Sequence, residues 1–240
     1  FEVCWMGIGH WLTRTIKTSV CGYRAYSDTY IKELRSKGAV IGEDVTIHYP
    51  MRTVIDATAP HLITIGNHVN ITGPATILTH DYSWSVVKGK TGEILGNQKP
   101  VVIGDNVFIG WGATILCGSI IEDNVVVGAH AVVSGLVDHD SVWGGVPARR
   151  ICSLEHYRKK RLTAQIAEGK MYVHCFRERY GRDPRKDEIP EYFMLFCGDE
   201  ELEGKLAFQV NLMGTEEKTK RLMREAERPY LDYNSFIKDC

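Results

Sequence analysis

The feature that most constrains this chain is a beat of six. Isoleucine or valine opens a block at 65, 71 and 77, and again at 103, 109, 115, 121, 127 and 133. The blocks read IGNHVN, ITGPAT and ILTHDY, then IGDNVF, IGWGAT, ILCGSI, IEDNVV, VGAHAV and VSGLVD, with IGEDVT at 41 as an earlier copy. A helix needs apolar positions about 3.6 apart and a two-faced strand about 2 apart, so neither accounts for six. A coil made of three short strands per turn does. Each side of such a coil offers the interior one large aliphatic and one small or β-branched side chain (Val45, Val69, Ala75, Val107, Ala113, Ser119, Val125, Ala131). Gly, Asn and Asp fall at the corners, where φ can be positive. Stacked coils then bury a continuous aliphatic column, as other solenoids do. A β-sandwich would place turn signals every 8–12 residues instead.

The beat divides the chain of 240 residues into three. Residues 1–37 are mixed and aromatic and end in SDTYIKELRSKG, where Ser27 or Asp28 caps a short helix that stops at Gly38. This is read as an N-terminal helical segment. Residues 38–152 hold the repeat and are poor in charge. Residues 153–240 are rich in charges of both signs and carry helical patterns, LEHYRKKRLTAQIAEGKMYVHCFRERYG and TEEKTKRLMREAE, so a helical appendage is expected. Its aromatic clusters EYFMLF and PYLDYNSF read as anchors packing the appendage on the solenoid, or as a docking surface for a partner. MYVHCF, with His174 and Cys175, reads as packing rather than as a metal site.

Composition narrows the function classes. A formal net charge of −1 gives no electrostatic reason to expect nucleic acid or an anionic membrane as partner. Seven cysteines, never in C-x-x-C spacing, outline neither a disulfide framework nor a zinc knuckle, and fit a reducing cytoplasm. No apolar run reaches the length of a transmembrane helix. The opening FEVCWMGIGHWL lacks the basic region and cleavage site of a signal peptide.

The blocks match the hexapeptide-repeat pattern, and the chain resembles the left-handed β-helix acyltransferases over roughly residues 27–152. The run IGWGATILCGSIIEDNVVVGAHAVVSGLVDHDSVWGGVPARRI is similar to the closing coils of the maltose, galactoside and serine acetyltransferase group. YIKELRSKG, ILTHDYSWSVVKG and the helical tail bring it nearer to the O-acetyltransferases of capsular and exopolysaccharide biosynthesis. The resemblance implies a mainly β fold, a left-handed parallel β-helix, assembled as a homotrimer with each active site shared between two subunits. It implies acetyl-CoA as co-substrate and a sugar hydroxyl as acceptor. An amino-sugar amine or a small xenobiotic alcohol such as an antibiotic suits the same base and groove.

The ladder of aliphatics breaks at His80. Acyl transfer from a thioester to a hydroxyl needs a base near neutrality, donors for the tetrahedral oxyanion and a groove for the thioester arm. A histidine where the chain leaves the solenoid supplies the base without interrupting the column, and the resemblance puts the catalytic histidine there. A turn histidine holding the loop is the structural alternative. The loop 81–102 is too long for a corner. Asp81, Tyr82 and Trp84 within it are acceptor-site candidates, with Trp84 also suited to anchoring the loop and Asp81 to orienting the imidazole. For the CoA groove the resemblance nominates Phe108, Gly110, Trp111, Ala129, Ala131 and Ser134, with Arg149 and Arg150 at the coil exit meeting the phosphates. Gly135 stands where the family often has lysine, Cys152 where a second basic residue sits, and Pro50 where the galactoside branch has asparagine. The same solenoid serves γ-class carbonic anhydrases, but none of the nine histidines has the H-x-x-x-x-H spacing that their zinc requires, and no metal is expected. Cys117 reads as an inert turn residue. A non-catalytic scaffold is the remaining class, which CoA binding would separate from an enzyme.

Overall fold

The computed structural model describes residues 15–240. The stretch FEVCWMGIGHWL and the first part of the expected N-terminal segment lie outside them. The chain forms two compact units that divide after Leu154.

In the first unit, successive strands visit three parallel faces in fixed rotation. The first face comprises Val40–Ile41, Ile63–Ile65, Val101–Ile103, Ile120–Ile121 and Leu136–Val137. The second comprises Thr46–Ile47, Asn70–Ile71, Phe108–Ile109, Val125–Val127 and Ser141–Gly144, closed by Arg149–Ser153 running antiparallel. The third comprises Val54–Ile55, Thr76–Ile77, Thr114–Ile115 and Val132–Val133. Ile103 lies opposite Ile121, Ile109 opposite Val127 and Ile115 opposite Val133, each eighteen positions on, so one turn is three blocks of six.

The register stacks like on like. Ile65, Ile103, Ile121 and Val137 form one inward column, Ile47, Ile71, Ile109 and Val127 a second, and Ile55, Ile77, Ile115 and Val133 a third, all buried. Each such side chain contributes about 1.5–3 kcal/mol by leaving water. The small inward positions Val69, Ala75, Val107, Ala113, Ser119, Val125 and Ala131 fill the gaps between columns. Corners repeat as strictly. At the first corner, between first and second faces, Asp44, His68, Asn106, Asn124 and Asp140 all have φ of 50–58°. Here a side-chain ladder ties turn to turn: Asp105 accepts from the Asn67 N–H and Asp123 from the Asp105 N–H, both at 2.7 Å.

Helix Ser27–Ser36 caps the first turn, burying Tyr30, Ile31 and Leu34 in the same core as the columns. Neither Ser27 nor Asp28 is its cap. Tyr26 holds that position, and its N–H donates to Thr29 Oγ1. Ser27 instead accepts from the Ile47 N–H at 2.8 Å and so fastens the helix to the first turn.

The long excursion leaves the third corner, between third and first faces. His80–Asp81 pairs antiparallel with Asn97–Gln98, and helix Trp84–Thr91, ended by Gly92 at φ 86°, fills the interval.

The second unit has its own core. Helix Leu154–Tyr180 buries Gly169 and Val173, and Phe193, Leu195, Phe196, Leu206, Val210 and Phe236 pack with Val173. Phe196 and Phe236 stack at 5.1 Å. The clusters EYFMLF and PYLDYNSF therefore bury one another, where the sequence placed anchors on the solenoid. Of MYVHCF only Val173 is buried, and His174 faces Glu178 at the surface.

Replacing Ile115 by Ala is expected to lower solenoid stability by about 2–5 kcal/mol in denaturant unfolding. Thr114→Ala, one residue earlier on the outward side, should cost less than about 1 kcal/mol. Similar losses for the two would contradict the alternation.

Candidate active site

The third corner brings a carboxylate and an imidazole together. Asp56 follows the last inward residue of one turn, Ile55, and Thr79 and His80 occupy the corner of the next. Coil stacking brings Asp56 Oδ2 to 2.6 Å from His80 Nδ1. The carboxylate is 4% exposed and the imidazole 22%. Asp56 also accepts from the Thr58 N–H at 2.9 Å, the Thr58 hydroxyl at 2.6 Å, the Thr79 N–H at 3.2 Å and the Thr79 hydroxyl.

Burial pushes the Asp56 carboxyl up, but the hydrogen bonds from Thr58, Thr79 and His80 outweigh it and hold the group well below the usual carboxylate range. An ionised carboxylate only accepts, so His80 Nδ1 carries the proton and donates it. The Nε2 lone pair is then free to take a proton from a reactant.

A pocket of about 290 Å³ opens beside the ring, lined by Thr58, His80, Asp81, Tyr82, Trp84 and Gly96–Gln98. That volume is at the lower end for a small-molecule site. The Tyr82 ring meets the imidazole edge-on at 5.2 Å and Trp84 meets Tyr82 at 5.8 Å, so an aromatic wall flanks the base. Asp81 lines this pocket but does not orient the imidazole. Its Oδ1 accepts from the Ser83 N–H and hydroxyl and its Oδ2 from Asn97. The Ser83 and Asn97 hydrogen bonds hold its pKa below the ordinary carboxylate value. Asp81 pins the base of the excursion, and Asp56 does the orienting.

The other nominated residues fall elsewhere. Trp111 and Ala129 are exposed at the second corner, between second and third faces, where Trp111 meets Tyr49 edge-on at 5.5 Å. Gly110 is buried there, and a Cβ on it would come within 2.6 Å of the Ala129 nitrogen, so stacking alone demands glycine. Phe108 is half-buried on the second face. Ala131 is fully buried, its carbonyl accepting from the Thr114 N–H and its own N–H donating to Gly128. Its side chain belongs to the core. Ser134 is exposed at the third corner, two turns beyond His80. Arg149 is exposed, whereas Arg150 is held by Asp138 at 3.0 Å, the same carboxylate that accepts from Trp143. Arg150 thus ties down the exit hairpin. On one chain, His80 and the Trp111 corner lie at opposite ends of the third face.

Sequence reasoning missed Asp56, Thr58, Thr79 and Asn97. Asp56 becomes recognisable only once the register is known. It is a carboxylate just after an inward isoleucine, and aligning Ile55 with Ile77 places it one turn before the ILTHDY corner.

Several known proteins are similar to this chain. A family model described as bacterial transferase hexapeptide (six repeats) matches residues 100–135. The protein CapG of Staphylococcus aureus is 40% identical over 128 residues, covering 53% of this chain and 73% of CapG. WbbJ of Escherichia coli (strain K12), named as a candidate O-acetyl transferase of lipopolysaccharide biosynthesis, is 46% identical over 59 residues, covering 25% of this chain and 30% of WbbJ. Among solved structures, the hexapeptide-repeat-containing acetyltransferase VCA0836 of Vibrio cholerae aligns with a TM-score of 0.42 at 24% identity, over 58% of this chain and 87% of that one. The chain belongs to the hexapeptide-repeat transferase family, as an acyltransferase.

Because its folded pKa is depressed, Asp56 stabilises the fold above the unfolded carboxylate value of about 3.9. That contribution is lost as pH falls toward the lower folded value. The stability difference between wild type and Asp56→Asn should therefore be largest near neutrality and shrink below about pH 4. A difference independent of pH in parallel urea titrations would show that the carboxylate is not ionised in the fold.

Proposed function

We propose that this protein is an acetyl-CoA-dependent O-acetyltransferase acting on a sugar hydroxyl in surface-polysaccharide biosynthesis. The observation that carries the reading is the 2.6 Å contact from Asp56 to His80 Nδ1, which leaves Nε2 as the base. His80 takes the acceptor's hydroxyl proton as the oxygen attacks the thioester carbonyl. The tetrahedral adduct then collapses with loss of the CoA thiolate, which recovers that proton from the imidazolium. No covalent enzyme intermediate is required. Tyr82 and Trp84 supply an aromatic wall of the kind that accepts the apolar face of a sugar ring. The name of WbbJ, an O-acetyl transferase of lipopolysaccharide biosynthesis, supports the choice of acceptor.

The donor arm is assigned to Phe108, Gly110, Trp111, Ala129 and Ser134, with Arg149 toward the phosphates. Because His80 and Trp111 sit on different corners, this assignment rests on a neighbouring copy completing each site. A left-handed coil assembled as a trimer does this, with residues 38–152 as the transferase domain and 153–240 as an appendage. The outward row of the first face fits a subunit contact. Val40, Ile120 and Leu136 are 62%, 47% and 58% exposed and stack in register through Thr64 and Val102. A cytoplasmic location fits a CoA donor and six described cysteines that are all free thiols.

His80→Ala is expected to lower kcat about 10²- to 10⁴-fold with little change in KM for acetyl-CoA. Turnover within threefold of wild type would remove His80 as the base. In sedimentation, wild type should run as three chains and the double variant Ile120→Glu, Leu136→Glu as one, since a row of charges cannot be buried unpaired. A wild-type protein that sediments as a monomer would refute the shared site.

A further inference from the structure

The third corner holds a cation that neither the catalytic step nor the loop uses. Lys99 follows Gln98, the residue paired with His80 in the antiparallel hairpin. Its own N–H donates to the Thr79 carbonyl at 2.9 Å, and the next carbonyl, of Pro100, accepts from the Gly118 N–H at 3.1 Å. The backbone of Lys99 is therefore clamped between the His80 turn and the one after it.

The side chain is directed as well. Its stem lies across Gly118, where a Cβ would come within 3.0 Å of Lys99 Cδ and 3.6 Å of Lys99 Cβ. Gly118 has φ 80° and leaves the space that the stem occupies. Lys99 is exposed and forms no ion pair among the described residues.

The two carboxylates of this corner are hydrogen-bonded to partners of their own. Asp56 is turned into Thr58, Thr79 and His80, and Asp81 into Ser83 and Asn97. Further along the same corner stand Leu116, Cys117, Gly118, Ser119, Ser134 and Gly135, none of them charged, and a Cβ on Gly135 would meet nothing within 4 Å. The corner thus holds its two carboxylates on partners of their own, and one turn on from His80 it carries an exposed lysine whose stem lies on Gly118. An ammonium with three donors and no protein acceptor is suited to a phosphate oxygen.

We propose that Lys99 is an anion-binding residue at the edge of the His80 pocket, on the same corner, gripping a phosphate group of a reactant. This rests on the acetyltransferase reading, in which two reactants can bring that group. One is the CoA donor, and the other is a sugar acceptor carried on a nucleoside diphosphate or another phosphate ester.

The test is calorimetry on the full-length wild type, Lys99→Met and Lys99→Arg. Methionine keeps a stem to lie on Gly118 and removes the charge, while arginine keeps the charge. Each protein is titrated with CoA, and separately with UDP in the presence of saturating CoA as the probe of a nucleotide-borne acceptor. Loss of one charge-assisted contact at an exposed site should weaken binding about 5- to 30-fold in Lys99→Met, with Lys99→Arg within about threefold of wild type. A loss confined to CoA assigns the donor and a loss confined to UDP assigns the acceptor. The gap between wild type and Lys99→Met should also narrow at high salt. Wild type and Lys99→Met agreeing within twofold for both probes would overturn the proposal while leaving the acetyltransferase reading intact. A wild type that binds CoA at no concentration up to millimolar would sink the reading itself, and one that binds neither probe would sink both.

Discussion

Everything in the first unit depends on coil-to-coil hydrogen bonding in a constant register. The Thr76 N–H donates to the Ala113 carbonyl, the Thr114 N–H to the Ala131 carbonyl, and the Val132 N–H to the Gly145 carbonyl, one turn on each time. A buried backbone group left unpaired costs as much as a lost hydrogen bond, so the ladder admits no slippage. A slip of one residue would turn every inward isoleucine out to water. The aliphatic columns, the positive-φ corner residues and the side-chain ladder through Asn67, Asp105 and Asp123 all follow from that single alignment. It has a chemical consequence too. Equivalent corner positions on successive turns lie about 4.8 Å apart, so residues far apart in sequence become neighbours. Asp56 and His80 meet for this reason.

The corner is the only part of a coil that can hold a charged dyad. The interior is a stack of isoleucine, valine and alanine, and a carboxylate there would have no donors. At the third corner the first turn supplies the N–H and hydroxyl of Thr58, and the second those of Thr79. Together with the imidazole they give the Asp56 carboxylate five donor contacts in a nearly water-free place. A buried carboxylate this well satisfied stays ionised, and its charge fixes the tautomer of His80. The orientation of the His80 imidazole is thus set by backbone geometry two layers deep rather than by the loop beside it.

How much of this was legible depended on whether a property is periodic. The solenoid, the inward columns and the corner residues could be read because the beat of six repeats without error from Ile103 to Val133. His80 was legible as the place where that beat stops. Asp56 was not, because the first turn breaks the beat. Ile47 to Ile55 is eight positions and Ile55 to Ile65 ten, so the residue facing His80 could not be found by counting. Residue type alone left the partners open in four further places. Ala131 has the size wanted beside a ligand but points inward, Asp81 and Arg150 have the right charges but spend them on Ser83, Asn97 and Asp138, and the tail's aromatics belong to a core of their own. In each case the missing information was which partner a side chain already has, and only three-dimensional placement supplies it.

A solenoid also separates folding from chemistry more cleanly than a layered domain does. Inward positions determine stability and outward corner positions determine function, with the backbone ladder between them. Corners can therefore lengthen without disturbing the columns. The six-residue corner His48–Thr53, which presents Tyr49 to Trp111, and the excursion after His80 both sit between intact strands. These two longer corners lie at opposite ends of the third face. A site that used both would need a second copy of the chain to bring its own third-face edge alongside. The aliphatic row of Val40, Ile120 and Leu136 on the adjoining first face gives the association energy for such an arrangement a physical source.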